Sequence, residues 1–373
     1  MLNIIKKIFK QKIILFPPLK SEIIIYSSYN SDYIIDILGS RKITVIDLSH
    51  INFIIFIISL VRLRFSKIGY INTYINYCAP KAIITSQDDD INFYNLKHYH
   101  KNIKTIAIQY GVRGIVTWSQ FEKDKNCKIK KEVDHLVCFS EFEKNKYEKY
   151  LKINNFHLFG SIINNNFPIA WSKNNDVIYI SQLRLNYKKN PILFSYNKKN
   201  YFHNDFYQID RELLPLVDNF CKKNNFNLII LGAGKSSFEE SFFHKILGHK
   251  NFSFKEKKGY SSYTTISRSR FIVSIDSTLG LESFARKIPT VFFPARYKYI
   301  NDISLKLYNE MSHVTKDIWS EDVDRINVNQ ILQYISNISY KDFNILWDNN
   351  YQKVMCYDKN NDNLKKLINS LAV

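Results

Sequence analysis

Glycine and proline are scarce in this chain, ten and eight of 373 residues, and that scarcity excludes a fibrous repeat or a low-complexity linker. Cysteine is scarce as well. Cys78, Cys127, Cys138, Cys221 and Cys356 are odd in number and show no CxxC spacing, which argues against a zinc knuckle or a disulfide framework and for a reducing compartment. No apolar run reaches the roughly 20 residues that span a bilayer. The basic first ten residues lack the sustained apolar stretch and small-residue cleavage site of a signal peptide. The nine histidines form no HExxH pair, and there is no GxSxG elbow, so zinc and serine hydrolase chemistry are not favoured.

What is present is a folding chain, 45% hydrophobic and 15% aromatic, and its length is that of two ordinary domains. Lysine and arginine outnumber acids 53 to 34, giving a formal charge of +19 that attracts phosphorylated ligands, anionic lipid or nucleic acid. The lysines are scattered and no helix-turn-helix or RNP signature accompanies them, so a basic nucleic-acid-binding protein is an alternative and nucleic acid is not an expected partner. The longest apolar run, FIIFIISLV at residues 53–61, is followed at once by Arg62, Arg64 and Lys67. It reads either as a buried helix or as a helix lying on an anionic membrane, so the expected location is cytoplasmic with peripheral contact at the inner membrane face.

Short β-branched runs alternate with segments of helical length. Strands are expected at residues 23–26, 43–46, 82–85, 105–108 and 136–139, with helices at 51–67 and 141–151. A second set follows, with strands at 177–180, 228–231, 252–254, 271–274 and 290–293 and helices at 210–224 and 237–247. Repeated β-then-α order predicts an α/β protein of two tandem, doubly wound Rossmann-like domains. Turn formers at 160–168 place the boundary there. The expected division is 1–165, 166–340 and a polar helical segment at 341–373.

In open parallel sheets ligands bind beyond the carboxyl ends of strands, so those positions carry the functional reading. Residues 271–282, FIVSIDSTLGLE, join a strand to a helix with free backbone N–H groups, the hydroxyls of Ser277 and Thr278, and Glu282 one turn on. That arrangement suits a phosphate beside ribose or sugar hydroxyls, or else Ser277 simply caps the helix. The loops with Gln182 and Arg184, with Gly232 and Lys235, and with Ser262 and Tyr263 lie on the same sheet edge and point to a nucleotide site. LGAGK at 231–235 has neither Walker A nor dinucleotide-fingerprint spacing. In the first half, three carboxylates follow a strand at 88–90. Asp88 reads as a general base, with capping by Asp89 or Asp90 and a metal-binding Asp-x-Asp as the other readings. Gln109 and Arg113 follow the next strand, and Arg113 suits a carboxylate or phosphate. Trp118 and Phe121 would either stack on a sugar or pack inside.

Together TSQDD at 85–89, IAIQYGVR at 106–113, ISQLR at 180–184, SSY at 261–263 and DSTLGLE at 276–282 resemble bacterial surface-carbohydrate transferases of capsule and O-antigen clusters, and more distantly capsular Kdo transferases and teichoic-acid glycerophosphotransferases. The resemblance implies a GT-B glycosyltransferase, usually metal-independent and without a resident cofactor. Its partners would be a nucleotide-sugar donor in the C-terminal domain and a glycan or lipid-linked acceptor facing the N-terminal one. Asp88 would then be the catalytic carboxylate. Arg184, Ser277, Thr278 and Glu282 would bind donor; the strand-end reading adds Gln182, Gly232, Lys235, Ser262 and Tyr263 to the donor site and gives Gln109 and Arg113 to acceptor or a carboxylate. The expected donor is a CMP-linked ulosonic acid such as Kdo or a sialic-acid-like sugar, with a UDP-sugar next and CDP-glycerol as an alternative. Tyr110 stands where related transferases often carry His, and Lys287 where they carry glycine.

Overall fold

Runs of isoleucine set the first sheet: Ile23, Ile24, Ile25, Ile83 and Ile84 have no exposed surface, as strands covered on both faces require. The structure, a computed structural model, describes residues 12–124, 131–183, 190–234, 237–307 and 316–371. The first half contains β1 (Lys12–Ile14), β2 (Ile23–Ile25), β3 (Ile43–Val45), β4 (His50–Asn52), β5 (Ala82–Thr85), β6 (Lys104–Ile108), β7 (Glu132–Cys138) and β8 (Lys152–Leu158). Six of them form a parallel sheet in the order β3-β2-β5-β6-β7-β8, with Ile24 opposite Ile83 and Ile84 opposite Ile106. β1 and β4 make a separate parallel pair.

The second half contains β9 (Asp176–Ile180), β10 (Ile192–Tyr196), β11 (Lys199–Phe202), β12 (Asn227–Leu231), β13 (Ser253–Lys255), β14 (Phe271–Ser274) and β15 (Thr290–Phe292). Its parallel sheet runs β13-β12-β9-β14-β15, and β10 and β11 form an antiparallel hairpin. The chain winds outward from β9 to β13, then returns to start again at β14. The ends of β9 and β14 therefore mark the topological switch point.

The chain divides into two compact units. One comprises residues 1–112, 119–166 and 358–373, the other 113–118 and 167–357. The helical tail expected as a separate segment is shared: helix Tyr340–Val354 packs on helix Thr278–Ala285 in the second unit, with Trp347 Nε1 donating to the Phe284 carbonyl at 2.8 Å. Helix Asp362–Leu371 packs on helix Ser31–Leu38 in the first.

The single helix expected at 51–67 is two elements. Asn52 caps helix Phe53–Val61, its side chain accepting from the Ile55 N–H at 3.2 Å, and Ser66 caps helix Lys67–Cys78, accepting from Gly69 at 3.0 Å.

Candidate functional site: the carboxyl edge of the second sheet

Helix Thr278–Ala285 begins directly after β14. Ser277 is its N-cap, accepting from the Leu279 N–H at 3.3 Å, so the first-turn backbone N–H groups face the strand ends. Gly280 lets the helix sit against the strand: a Cβ there would lie 2.6 Å from Ser274 Cβ and 2.4 Å from its Oγ. Glu282 is buried and receives the Tyr263 hydroxyl on both oxygens, at 3.0 and 2.9 Å. Tyr263 in turn stacks on Phe167, centroids 4.7 Å apart. Ser277, Thr278, Tyr263 and Glu282 are thus brought to one corner. Ser262 precedes Tyr263 and is buried, its hydroxyl without a hydrogen-bond partner.

Below this corner lies an ionic network that sequence reading missed. Arg296, buried, grips Asp276 with Nε to Oδ2 at 2.9 Å and Nη2 to Oδ1 at 3.1 Å. Its Nη2 also donates to Gln182 Oε1 at 2.9 Å, Nη1 lies 3.7 Å from Asp210, and the guanidinium covers the Phe206 ring at 4.1 Å. Tyr179 donates to Asp210 at 2.8 Å. Burial works against the Arg296 charge, but Asp276 and Asp210 outweigh it and raise its pKa above the ordinary value. The Asp210 carboxyl is pushed upward by burial, with Arg296 and Tyr179 opposing. Gln182, expected on the donor, is held through its side chain by Arg296 and through its carbonyl by Tyr207 at 2.8 Å. Arg296 follows β15 in a PAR sequence that resembles no ligand motif, and Asp210, in the first turn of helix Gln208–Lys223, reads as an ordinary helix-start acid, so neither announced itself.

On the other side of β9, Glu239 binds the ends of two strands together. It accepts from the Ala233 N–H at 2.9 Å and from the Ser181 hydroxyl, and burial raises its pKa. Gly232 is where this carboxylate and Phe254 crowd the backbone: a Cβ would meet Phe254 at 2.9 Å and Glu239 at 3.0 Å. Its role is therefore close packing. Arg184 and Lys235 lie outside the described residues. Two open grooves of this unit are elsewhere, one of about 730 Å³ at the amino ends of β9 and β12, the other of about 1130 Å³ beside helix Arg325–Asn337.

In the first unit, Asp88, read from sequence as a general base, follows β5 and is enclosed. It has no exposed surface; Oδ1 accepts from the Tyr110 N–H at 3.0 Å and Oδ2 from the Tyr147 hydroxyl. Here it anchors the turn after β6. Gln109 is also enclosed, accepting from the Phe139 N–H at 2.9 Å and donating to Glu143 at 2.8 Å, so its amide is not presented to a ligand. Arg113, which with residues 114–118 belongs to the second unit, is half-buried, its carbonyl receiving Trp118 Nε1 at 3.0 Å. Phe121 is buried against Tyr94 and Tyr150, and Asp90, one of the two caps expected from sequence, caps helix Ile91–Tyr99. Lys287 takes the left-handed conformation with φ 61°, where glycine is easiest. Its ammonium lies 4.2 Å over Trp347 and 3.1 Å from Asn344 Oδ1. Among the described residues no group of three His, Cys, Asp or Glu is placed to hold a metal ion.

Two Rossmann-like units of this topology define the GT-B class. The structure is similar to UDP-GlcNAc 2-epimerase from Neisseria meningitidis bound to UDP-GlcNAc (12% identity, 93% of this chain and 98% of that one, TM-score 0.50). It is likewise similar to UDP-GlcNAc 2-epimerase from Methanocaldococcus jannaschii (12%, 93% and 99%, TM-score 0.51). A third similar structure is the wall teichoic acid polymerase TagF with CDPG (11%, 96% and 89%, TM-score 0.50). No curated protein matches the sequence. Residues 106–372 match the family described as "putative O-antigen biosynthesis protein", and the chain belongs to that family.

Proposed function

We propose that this protein is a glycosyltransferase that moves a sugar from a nucleotide-activated donor to a growing surface polysaccharide. The observation that carries the reading is the corner at the β9/β14 switch point. A capped helix N-terminus, the hydroxyls of Ser277 and Thr278, and the Tyr263-held carboxylate of Glu282 meet beside strand ends locked by Arg296 and Glu239. The positive helix end suits a departing nucleotide phosphate, whose charge grows as the glycosidic bond to the donor breaks. Glu282, one turn along, suits the donor's ribose hydroxyls. In this reading Asp88 positions the Tyr110–Val112 turn and does not itself touch substrate.

The donor we infer is a nucleotide-sugar. The CMP-linked ulosonic acid expected from sequence now stands beside a UDP-sugar, which gains support from the epimerase bound to UDP-GlcNAc, and a CDP-linked donor, which gains support from TagF with CDPG. A second reading is favoured by the two epimerases, whose chains are covered almost end to end: a nucleotide-sugar epimerase supplying O-antigen assembly. Product mass decides. Incubation with a lipid-linked acceptor and CMP-, UDP- or CDP-linked donors is expected to add the mass of one sugar to the acceptor. A glycerophosphate increment indicates the CDP-glycerol reaction. A donor isomerised with no change to any acceptor sinks the transferase reading and supports epimerisation.

A further inference from the structure

We propose that the first unit docks on an anionic phospholipid surface through helix Phe53–Val61, the turn that ends it, and the adjoining segment 13–19. The helix buries only Ile55 and Ser59. Phe53, Ile57 and Val61, spaced by four, form an exposed stripe that ends in Val61 at 78% exposure. Leu63 and Phe65 continue it at 76% and 72%, and β1, paired with β4 just before the helix, adds Ile13 and Ile14, with Leu15, Phe16 and Leu19 beyond. Asn52 ties the two segments, its amide donating to the Phe16 carbonyl at 2.8 Å. So many exposed large apolar side chains on two joined segments are what a docking surface offers, not what ordinary folding leaves behind.

The turn is built to hold it. Arg64 N–H bonds to the Ser59 carbonyl at 2.8 Å and Leu63 N–H to Leu60 at 2.9 Å, the bonding of a Schellman end, and Leu63 occupies its left-handed position with φ 53°. Glycine would be easier there. A leucine accepts the strain and projects its side chain into solvent. Gly69 seats the turn, since a Cβ would come within 2.9 Å of Arg64 Cβ.

Charge selects the occupant. Arg62, Arg64 and Lys67 are exposed and alternate with the apolar residues, while Lys12 and Lys20 flank the other segment. Neither residues 1–20 nor residues 48–87 contain any aspartate or glutamate. A second copy would bring like charges together, whereas phosphatidylglycerol headgroups match them with the apolar side chains below.

The test is sedimentation of the full chain with vesicles of phosphatidylglycerol mixed into phosphatidylcholine, against phosphatidylcholine alone. Expected is binding to the mixed vesicles that falls with added salt. It should weaken roughly fivefold per charge removed in Arg62→Gln and Arg64→Gln. Leu63→Gly also relieves the backbone, so it should bind vesicles more weakly while its melting temperature holds or rises; a merely structural leucine would give no change in binding. Equal binding to both vesicle types, no binding to either, or a concentration-dependent dimer abolished by Leu63→Gly would overturn the proposal. None of these readouts depends on sugar transfer, so its failure is separable from failure of the catalytic reading.

Discussion

Arg296 holds both carboxylate oxygens of Asp276 from beneath the helix corner, at 2.9 and 3.1 Å, and reaches Gln182 with the same nitrogen that binds Oδ1. One guanidinium therefore fixes the ends of β9 and β14 relative to each other. Arg296→Met leaves Asp276 and Asp210 facing each other without a cation. The expected loss is about 3–5 kcal/mol, read as a lowered urea midpoint. An unchanged midpoint would mean that the network holds nothing.

Gly280→Ala should cost about 1–3 kcal/mol, because its Cβ meets the first side-chain atom of Ser274 and not a flexible tip. Thermal melting measures the loss. Ser274→Gly in the same chain should recover part of it.

Asp88→Asn and Tyr147→Phe each disturb the buried acceptor beneath the Tyr110 turn and should lower stability by about 1–3 kcal/mol. The pH profile of the residual transferase rate should keep its shape. Loss of the acid limb in Asp88→Asn would instead make that carboxylate a base.

Acid should destabilise the first unit before carboxylates titrate. Burial, with Arg64 adding to it, lowers His100 to about 4, and burial with His135 nearby lowers His157 to about 4. Both histidines start near 6.5 when unfolded, so the unfolded chain binds more protons in between. Stability fully present above about 6.5 is lost as pH falls toward 4, with a slope of up to about 1.4 kcal/mol per pH unit for each fully titrating histidine. Urea midpoints measured across that window should fall, and less steeply in His100→Gln.

Much of this fold could be read from the chain because its central strands are covered on both faces and so are written as unbroken isoleucine and valine runs. β8, KINNFHL, escaped because an edge strand with Asn154 and Asn155 outward carries no such run. The β10–β11 hairpin escaped because Tyr196 to Lys199 has no glycine, its left-handed positions being taken by Asn197 and Lys198. The Ser277–Glu282 corner was legible because cap, glycine and carboxylate are contiguous. Arg296, Asp210 and Glu239 were not, since each meets its partners from another element of the chain: Arg296 on Asp276, Asp210 on Tyr179, Glu239 on Ser181. Asp88 illustrates the converse: its position after a strand was read correctly, but burial by Tyr147 is a tertiary fact that no spacing carries.

The central claim is that the Ser277–Glu282 corner holds a nucleotide. Titrating the protein with CMP, UDP and CDP compounds while following its melting temperature tests this most directly. The account predicts a concentration-dependent rise for at least one nucleotide, diminished in Ser277→Ala and in Glu282→Gln. A rise that both variants keep in full, or no rise with any of the three, would contradict it.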